Sequence, residues 1–159
     1  MMSNPEYIYE TFIRATPDKI WQALTHAEFT SQYFHGTHIQ SDWQIGSPVV
    51  FRGDEGNALI EGEVIVADKP VRLSYSWRSL YDEELAKEAP SQVTFEIEAM
   101  DGVCRLRITH DKFQAGSKTY ERVSQGWSAI MCSLKSLLET SQPLPIAGNE
   151  APEDQKGTA

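Results

Sequence analysis

The clearest pattern of apolar and polar positions predicts a long helix near the end of the chain. Between Ser117 and Thr140, apolar residues recur every three or four positions, opposite a polar face. A broad apolar stripe is typical of a helix that packs on a sheet. Gly126 lies inside this helix at a cost of about 1 kcal/mol, which predicts a close approach to the sheet or a bend. The stripe consists of Val123, Trp127, Ile130, Met131, Leu134, Leu137 and Leu138.

The N-terminal pattern predicts a strand followed by two short helices. Tyr7 to Ala15 is rich in β-branched and aromatic residues, as strands are. The next three residues, Thr16-Pro17-Asp18, provide an N-cap, a proline at the first helical position and an acid in the first turn. On this first helix, Trp21 belongs to the apolar face and is expected to support the interior. Ala27 to Gly36 predicts the second helix.

The middle of the chain predicts an antiparallel meander, because short strand-like runs alternate with turn signals. Asp101-Gly102 as a two-residue turn sets the register of one hairpin, with charged pairs on one face and apolar pairs on the other. The expected pairs are Glu98 with Arg105, Ile97 with Leu106, Glu96 with Arg107, Phe95 with Ile108 and Val93 with His110. A four-residue loop at Ala67 to Pro70 predicts three further pairs, namely Val64 with Leu73, Gly62 with Tyr75 and Ile60 with Trp77.

Composition and charge restrict the class of protein. The 159 residues suffice for one domain, expected at residues 7–140 between a flexible N-terminus (1–6) and a disordered tail (141–159). Because the chain has neither an apolar run of about 20 residues nor a secretory signal, we expect no membrane association and a cytoplasmic location. The net charge of −9 without a basic patch predicts no nucleic-acid partner. Cys104 and Cys132 lack ligand spacing and predict two buried free thiols.

Several motifs in combination resemble a known superfamily. They are ATPDKIWQALT, VRLSYSW, PSQVTFEIEAMDGVCRLRITH and GWSAIMCSLKSLLE. Together they are similar to the SRPBCC or START-like (helix-grip) superfamily, and within it to the C-terminal domain of the activator of Hsp90 ATPase. The resemblance implies an α+β fold, with a seven-stranded antiparallel sheet wrapped around the long C-terminal helix. It also implies a hydrophobic cavity between helix and sheet.

The predicted inner face of the sheet combines apolar walls with a few polar groups, which is the usual lining of a small-molecule site. The alternative is that these side chains fill a core. The candidate cavity residues are Ile60, Gly62, Tyr75, Trp77, Phe95, His110, Trp127 and Met131. The acidic segment from Ser79 to Pro90 is either a surface loop or a lid, and Leu80, Tyr81 and Leu85 are the residues of such a lid.

Three functions remain open from the sequence. The first is a module that binds a small hydrophobic or aromatic molecule, and the second, implied by the resemblance, is association with a heat-shock chaperone. The third is a cyclase or hydrolase that uses His110 and Tyr75, although no catalytic group stands convincingly beside His110. His35, His38 and Asp42 lack the spacing of a metal site, so we expect no metal and no cofactor.

Overall fold

The computed structural model of the protein describes residues 4–145. Residues 1–3 and 146–159 lie outside it, so most of the predicted disordered tail and half of the predicted flexible N-terminus fall beyond the described residues. Within residues 4–145, no helix is long and apolar enough to cross a bilayer.

A seven-stranded sheet and a long helix dominate the described chain. All strand pairs are antiparallel, and the strand order is β1-β7-β6-β5-β4-β3-β2. The predicted α+β fold is therefore confirmed. The elements are β1 (Tyr7–Ile13), α1 (Pro17–Thr25), α2 (Ala27–Tyr33), β2 (His38–Gln40), β3 (Pro48–Arg52), β4 (Ala58–Asp68), β5 (Arg72–Ser79), α3 (Glu83–Ala86), β6 (Ser91–Ala99), β7 (Cys104–Asp111) and α4 (Lys118–Thr140).

Helix α1 begins as the sequence predicts. The N–H of Lys19 donates to Thr16 Oγ1 at 3.2 Å, and Pro17 occupies the first turn, where a missing N–H costs nothing. The apolar side of the helix faces the interior, and Trp21 is buried there. Trp21 therefore belongs to the hydrophobic core.

The predicted register of β6 and β7 is confirmed at every pair. Val93 lies opposite His110, and Phe95 lies opposite Ile108 on the buried face. On the outer face, Arg105 forms an ion pair with Glu98. The turn at Asp101-Gly102 fixes this arrangement, because a hairpin turn determines which side chains share a face.

The predicted register of β4 and β5 is wrong by two residues from Ile60 to Val64 and by three beyond the bulge, where Ala67 pairs with Leu73. Val64 pairs with Tyr75 and Ile60 with Ser79, because the loop is residues 69–71 and a bulge interrupts the pairing between Val64 and Val66. A shift of two residues preserves the face on which each side chain lies. The bulge leaves Ile65 without a partner on β5, and its side chain is 39% exposed.

Side chains of Ser117 and Glu88 cap the N-terminus of α4, which begins at Lys118. Ser117 Oγ accepts the N–H of Tyr120 at 3.0 Å, and the carboxylate of Glu88 in turn accepts the Ser117 hydroxyl at 2.6 Å and the Lys118 N–H at 2.8 Å. This anchors the acidic segment before β6 to the start of α4. Cys132 on α4 is exposed, so the prediction of two buried thiols holds only for Cys104.

Candidate functional site

A pocket of about 440 Å³ lies between α4 and the strands β4 and β5, next to the turn that follows α2. Its volume falls within the range of small-molecule sites. The apolar part of its wall consists of Phe34, Leu59, Ile60, Trp77, Val123, Trp127 and Ile130. The remaining lining residues are His35, Thr37, Tyr81, Arg122, Gln125 and Gly126.

Three aromatic rings form the floor of the pocket. The Trp127 ring lies edge-on to Phe34, with centroids 5.5 Å apart, and is 5.5 Å from the Trp77 ring. Phe34 also packs against Phe51 at 4.9 Å. Edge-to-face and tilted pairs at these distances are favourable, so the floor is a packed aromatic surface.

The polar groups of this floor are already hydrogen-bonded within the protein. The Trp127 indole N–H donates to His110 Nδ1 at 3.0 Å, and the Trp77 indole N–H donates to Ser79 Oγ at 3.3 Å. The Thr37 hydroxyl donates to the carbonyl of Phe34 at 2.7 Å. A polar ligand group at this depth would lose its hydrogen bonds to water, and the engaged indole and hydroxyl groups could not replace them. The floor therefore favours an apolar ligand surface.

His110 lies behind Trp127 and is fully buried, as its predicted register requires. Nδ1 accepts from Trp127, so the proton resides on Nε2, which donates to Ser91 Oγ at 2.8 Å. Burial disfavours the imidazolium and lowers the pKa of His110 to about 3. The ring is thus a neutral support for Trp127. His110 is not among the residues that line this pocket, and both of its ring nitrogens are engaged within the protein.

The other predicted cavity residues divide into two groups. Ile60, Trp77 and Trp127 line the pocket, whereas Tyr75, Phe95 and Met131 are buried in the core outside its lining. Gly62 does not create space, because a Cβ atom there would lie 1.8 Å from the Ser76 carbonyl oxygen. The pocket thus lies on the same side of the sheet as the core beneath α4 but nearer to the surface than Tyr75, Phe95 and Met131.

Gly126, which the sequence singled out as a glycine inside a helix, lines the pocket. A Cβ atom at this position would meet only Ile130 Cδ1, at 4.0 Å, so the predicted close approach to the sheet is wrong. Val123 and Ile130 flank it on the same side of α4 and also line the pocket. The spacing of these residues was visible in the sequence. Phe34, at the end of α2, carried no comparable signal.

Exposed residues of the lining, among them Tyr81, Arg122 and Gln125, mark the mouth of the pocket. Tyr81, predicted as part of a lid, lies there and is 47% exposed. Leu80 and Leu85 are absent from the lining, and Leu85 is the buried residue of α3 itself. Of the three residues predicted to form a lid, Tyr81 is therefore the one that lines the pocket.

Arg122 connects this mouth to the acidic segment. Its Nη2 donates to Asp82 Oδ2 at 3.2 Å, and its guanidinium carbon lies 5.9 Å from the centre of the Tyr81 ring. Asp82 Oδ1 accepts the N–H groups of Glu84 and Leu85 at the start of α3. These backbone donors and the nearby guanidinium lower the pKa of Asp82.

His35 belongs to the pocket lining, whereas His38 lies on β2 outside it. His35 lies edge-on to Phe34 with a centroid distance of 5.8 Å, and partial burial lowers the pKa of His35. His38 Nε2 lies 3.1 Å from Asp54 Oδ1. Among the described residues, no three His, Cys, Asp or Glu side chains are grouped as metal ligands would be.

Solved structures with the same fold include chaperone-related and other proteins. The Aha1 dimer of Colwellia psychrerythraea has a TM-score of 0.69 at 20% identity, over 86% of this chain and 97% of that one. An HSP90 activator from Plasmodium falciparum, PFC0360w, has a TM-score of 0.64 at 21% identity, over 77% and 87%. DynU16, a protein of the dynemicin biosynthetic locus, has a TM-score of 0.71 at 19% identity, over 87% and 48%. These likenesses establish the fold.

The sequence also matches a small part of a much longer curated protein. It is 24% identical over 140 residues to RNA-directed RNA polymerase L of bovine respiratory syncytial virus strain A51908. The chain spans only 6% of that polymerase. The family model described as activator of Hsp90 ATPase homolog 1-like protein, by contrast, matches residues 14–139. That match covers most of the chain, which belongs to the activator of Hsp90 ATPase homolog 1-like family.

Proposed function

We propose that the protein binds a small hydrophobic or aromatic molecule in the pocket between α4 and the sheet. The observation that carries this proposal is a floor of three aromatic rings whose polar groups are all engaged within the protein. Such a floor offers dispersion contacts and no competing hydrogen bonds. The affinity then comes from the apolar area that the ligand removes from water.

Gly126 supports the same proposal independently. Glycine within a helix destabilises it by about 1 kcal/mol relative to alanine. No packing contact explains the glycine, because an added Cβ would meet only one side-chain atom, at 4.0 Å. Gly126 lines the pocket, so its missing side chain keeps that part of the wall open.

A pair of variants at this glycine tests the proposal. The neutral fluorescent probe N-phenyl-1-naphthylamine should bind the unmodified protein saturably, with an increase in its emission. Gly126→Leu should abolish that binding by filling the pocket, whereas Gly126→Ala should retain it and serve as the matched control. If Gly126→Leu, folded by circular dichroism, binds the probe as well as the unmodified protein does, the pocket is not the binding site.

Binding to an Hsp90-type chaperone is a second candidate function. It is supported by the description of the matching family and by the fold shared with the Plasmodium HSP90 activator. Purified protein added to a bacterial or eukaryotic Hsp90 should increase its ATPase rate if this candidate is correct. An unchanged rate, together with no binding by calorimetry at low salt, would exclude it. The result is independent of probe binding in the pocket.

A further inference from the structure

The polar end of the pocket contains an arginine whose hydrogen-bonding capacity is only partly used. A guanidinium carries five N–H donors in a planar fork. Arg122 Nη2 donates to Asp82 Oδ2, but its Nε and Nη1 have no hydrogen bond to any residue in the part of the chain that the structure describes. The side chain of Arg122 is 54% exposed, so these donors are accessible from the mouth.

The position of Asp82 leaves room for a second anion. One of its carboxylate oxygens holds the N–H groups of Glu84 and Leu85, and the other faces Arg122 Nη2. Asp82 therefore uses one N–H group of Arg122 Nη2. Nη2 has two N–H groups, one on the edge shared with Nε and one on the edge shared with Nη1, so a single contact to Asp82 leaves one two-donor edge complete. A carboxylate is the group that best matches such an edge.

Resting on the proposed function above, we propose that the ligand is an amphipathic carboxylic acid. Its aromatic or aliphatic body lies on the floor formed by Phe34, Trp77 and Trp127, and its carboxylate is bound at the mouth by Arg122. The floor cannot hold the charge, because an unpaired buried carboxylate costs several kcal/mol and the indole donors are already engaged. The charged end must therefore lie at the mouth, where the described lining residues include the guanidinium of Arg122.

Acidic residues near the mouth weaken the binding of a carboxylate to Arg122, so removal of one of their charges has a predictable effect on affinity. Asp82 competes directly for Arg122, and Glu84 and Glu121 lie in the adjoining surface depression. Removing the charge of Asp82 should consequently strengthen carboxylate binding. Asn preserves the side-chain oxygen that accepts from the Glu84 and Leu85 N–H groups, so Asp82→Asn changes the charge while it retains the cap.

Three probes with the same ring system separate the charge from the apolar body. They are 2-naphthylacetate, the neutral 2-naphthylacetamide and the cationic 2-(2-naphthyl)ethylamine, each measured by calorimetry at pH 7.5 and low salt. The acid should bind about five- to tenfold more tightly than the amide, the range expected for a charged hydrogen bond at a half-exposed site. The amine should bind most weakly.

Two variants assign the preference to Arg122. Arg122→Gln should reduce acid binding to the level of the amide, and Asp82→Asn should increase it severalfold, with amide binding unchanged in both. Equal binding of acid and amide, tighter binding of the amine, or an acid preference that persists in Arg122→Gln would each overturn the carboxylate proposal while the pocket proposal stands. Failure of all three probes to bind or to displace N-phenyl-1-naphthylamine would overturn the pocket itself.

Discussion

The buried neutral state of His110 predicts a loss of stability in mild acid. In the folded protein the ring nitrogens are engaged with Trp127 and Ser91, and burial lowers the pKa of His110 to about 3. In the unfolded chain the same group has its ordinary pKa of 6.5. Between these values the unfolded state binds a proton that the folded state does not bind. The contribution is therefore intact above pH 6.5 and is lost as the pH falls toward 3.

The size of the effect follows from the two pKa values. Each pH unit between them is worth about 1.4 kcal/mol, so a change from pH 7 to pH 5 reduces the free energy of unfolding by about 2 kcal/mol. For a chain of this size that corresponds to a decrease in Tm of about 4–8 °C. His35, whose pKa is also lowered by burial, contributes in the same direction.

The assay is chemical denaturation of the unmodified protein and of His110→Gln at pH 7, 6 and 5. Gln can accept from the Trp127 indole and donate to Ser91, but it does not titrate. The difference between the two proteins isolates His110, because carboxylates and other histidines cancel; His35→Gln is a second control for the remaining slope. If the stability of His110→Gln falls as steeply as that of the unmodified protein, His110 is not held neutral and the described packing is wrong.

Three further substitutions probe the packing around the pocket. Gly126→Ala should raise the free energy of unfolding by about 0.5–1 kcal/mol, since it removes a helix-interior glycine without a clash; a destabilised variant would show that Gly126 is packed. Gly62→Ala should destabilise the fold by more than about 2 kcal/mol through the clash with the Ser76 carbonyl, and a neutral result would refute that contact. Tyr75→Phe should maintain or raise Tm, because no described residue hydrogen-bonds its buried hydroxyl; a clear decrease would reveal a hidden partner. Thermal denaturation measures all three.

Turn chemistry explains which parts of the sheet were predictable. Asp101-Gly102 is a short turn between two strands in which apolar and polar residues alternate regularly. The register of these strands therefore followed from the sequence alone. The β4–β5 hairpin has a three-residue loop and a bulge near Ile65. Neither the loop nor the bulge has a distinctive residue pattern. The loop shifts the pairing by three residues, and the bulge reduces that shift to two. The faces of Ile60, Val64 and Tyr75 were therefore correct, although their partners were not.

The pocket was less predictable than the fold for a related reason. Alternation in a strand shows that His110 and Trp77 point inward, but it does not show how deep each lies beneath α4. The depth depends on where α2 ends, since Phe34 fills the space next to Trp127. It depends also on the segment after β5, which places Tyr81 and Asp82 beside Arg122.

The four tryptophans provide the most direct test of the central claim, because two of them line the pocket and two do not. In a ¹H–¹⁵N correlation spectrum titrated with 2-naphthylacetate, the indole signals of Trp77 and Trp127 should shift saturably. Those of Trp21, in the core, and Trp43, on the β2–β3 loop, should remain in place. Movement of Trp43 alone, or of none of the four, would contradict the account.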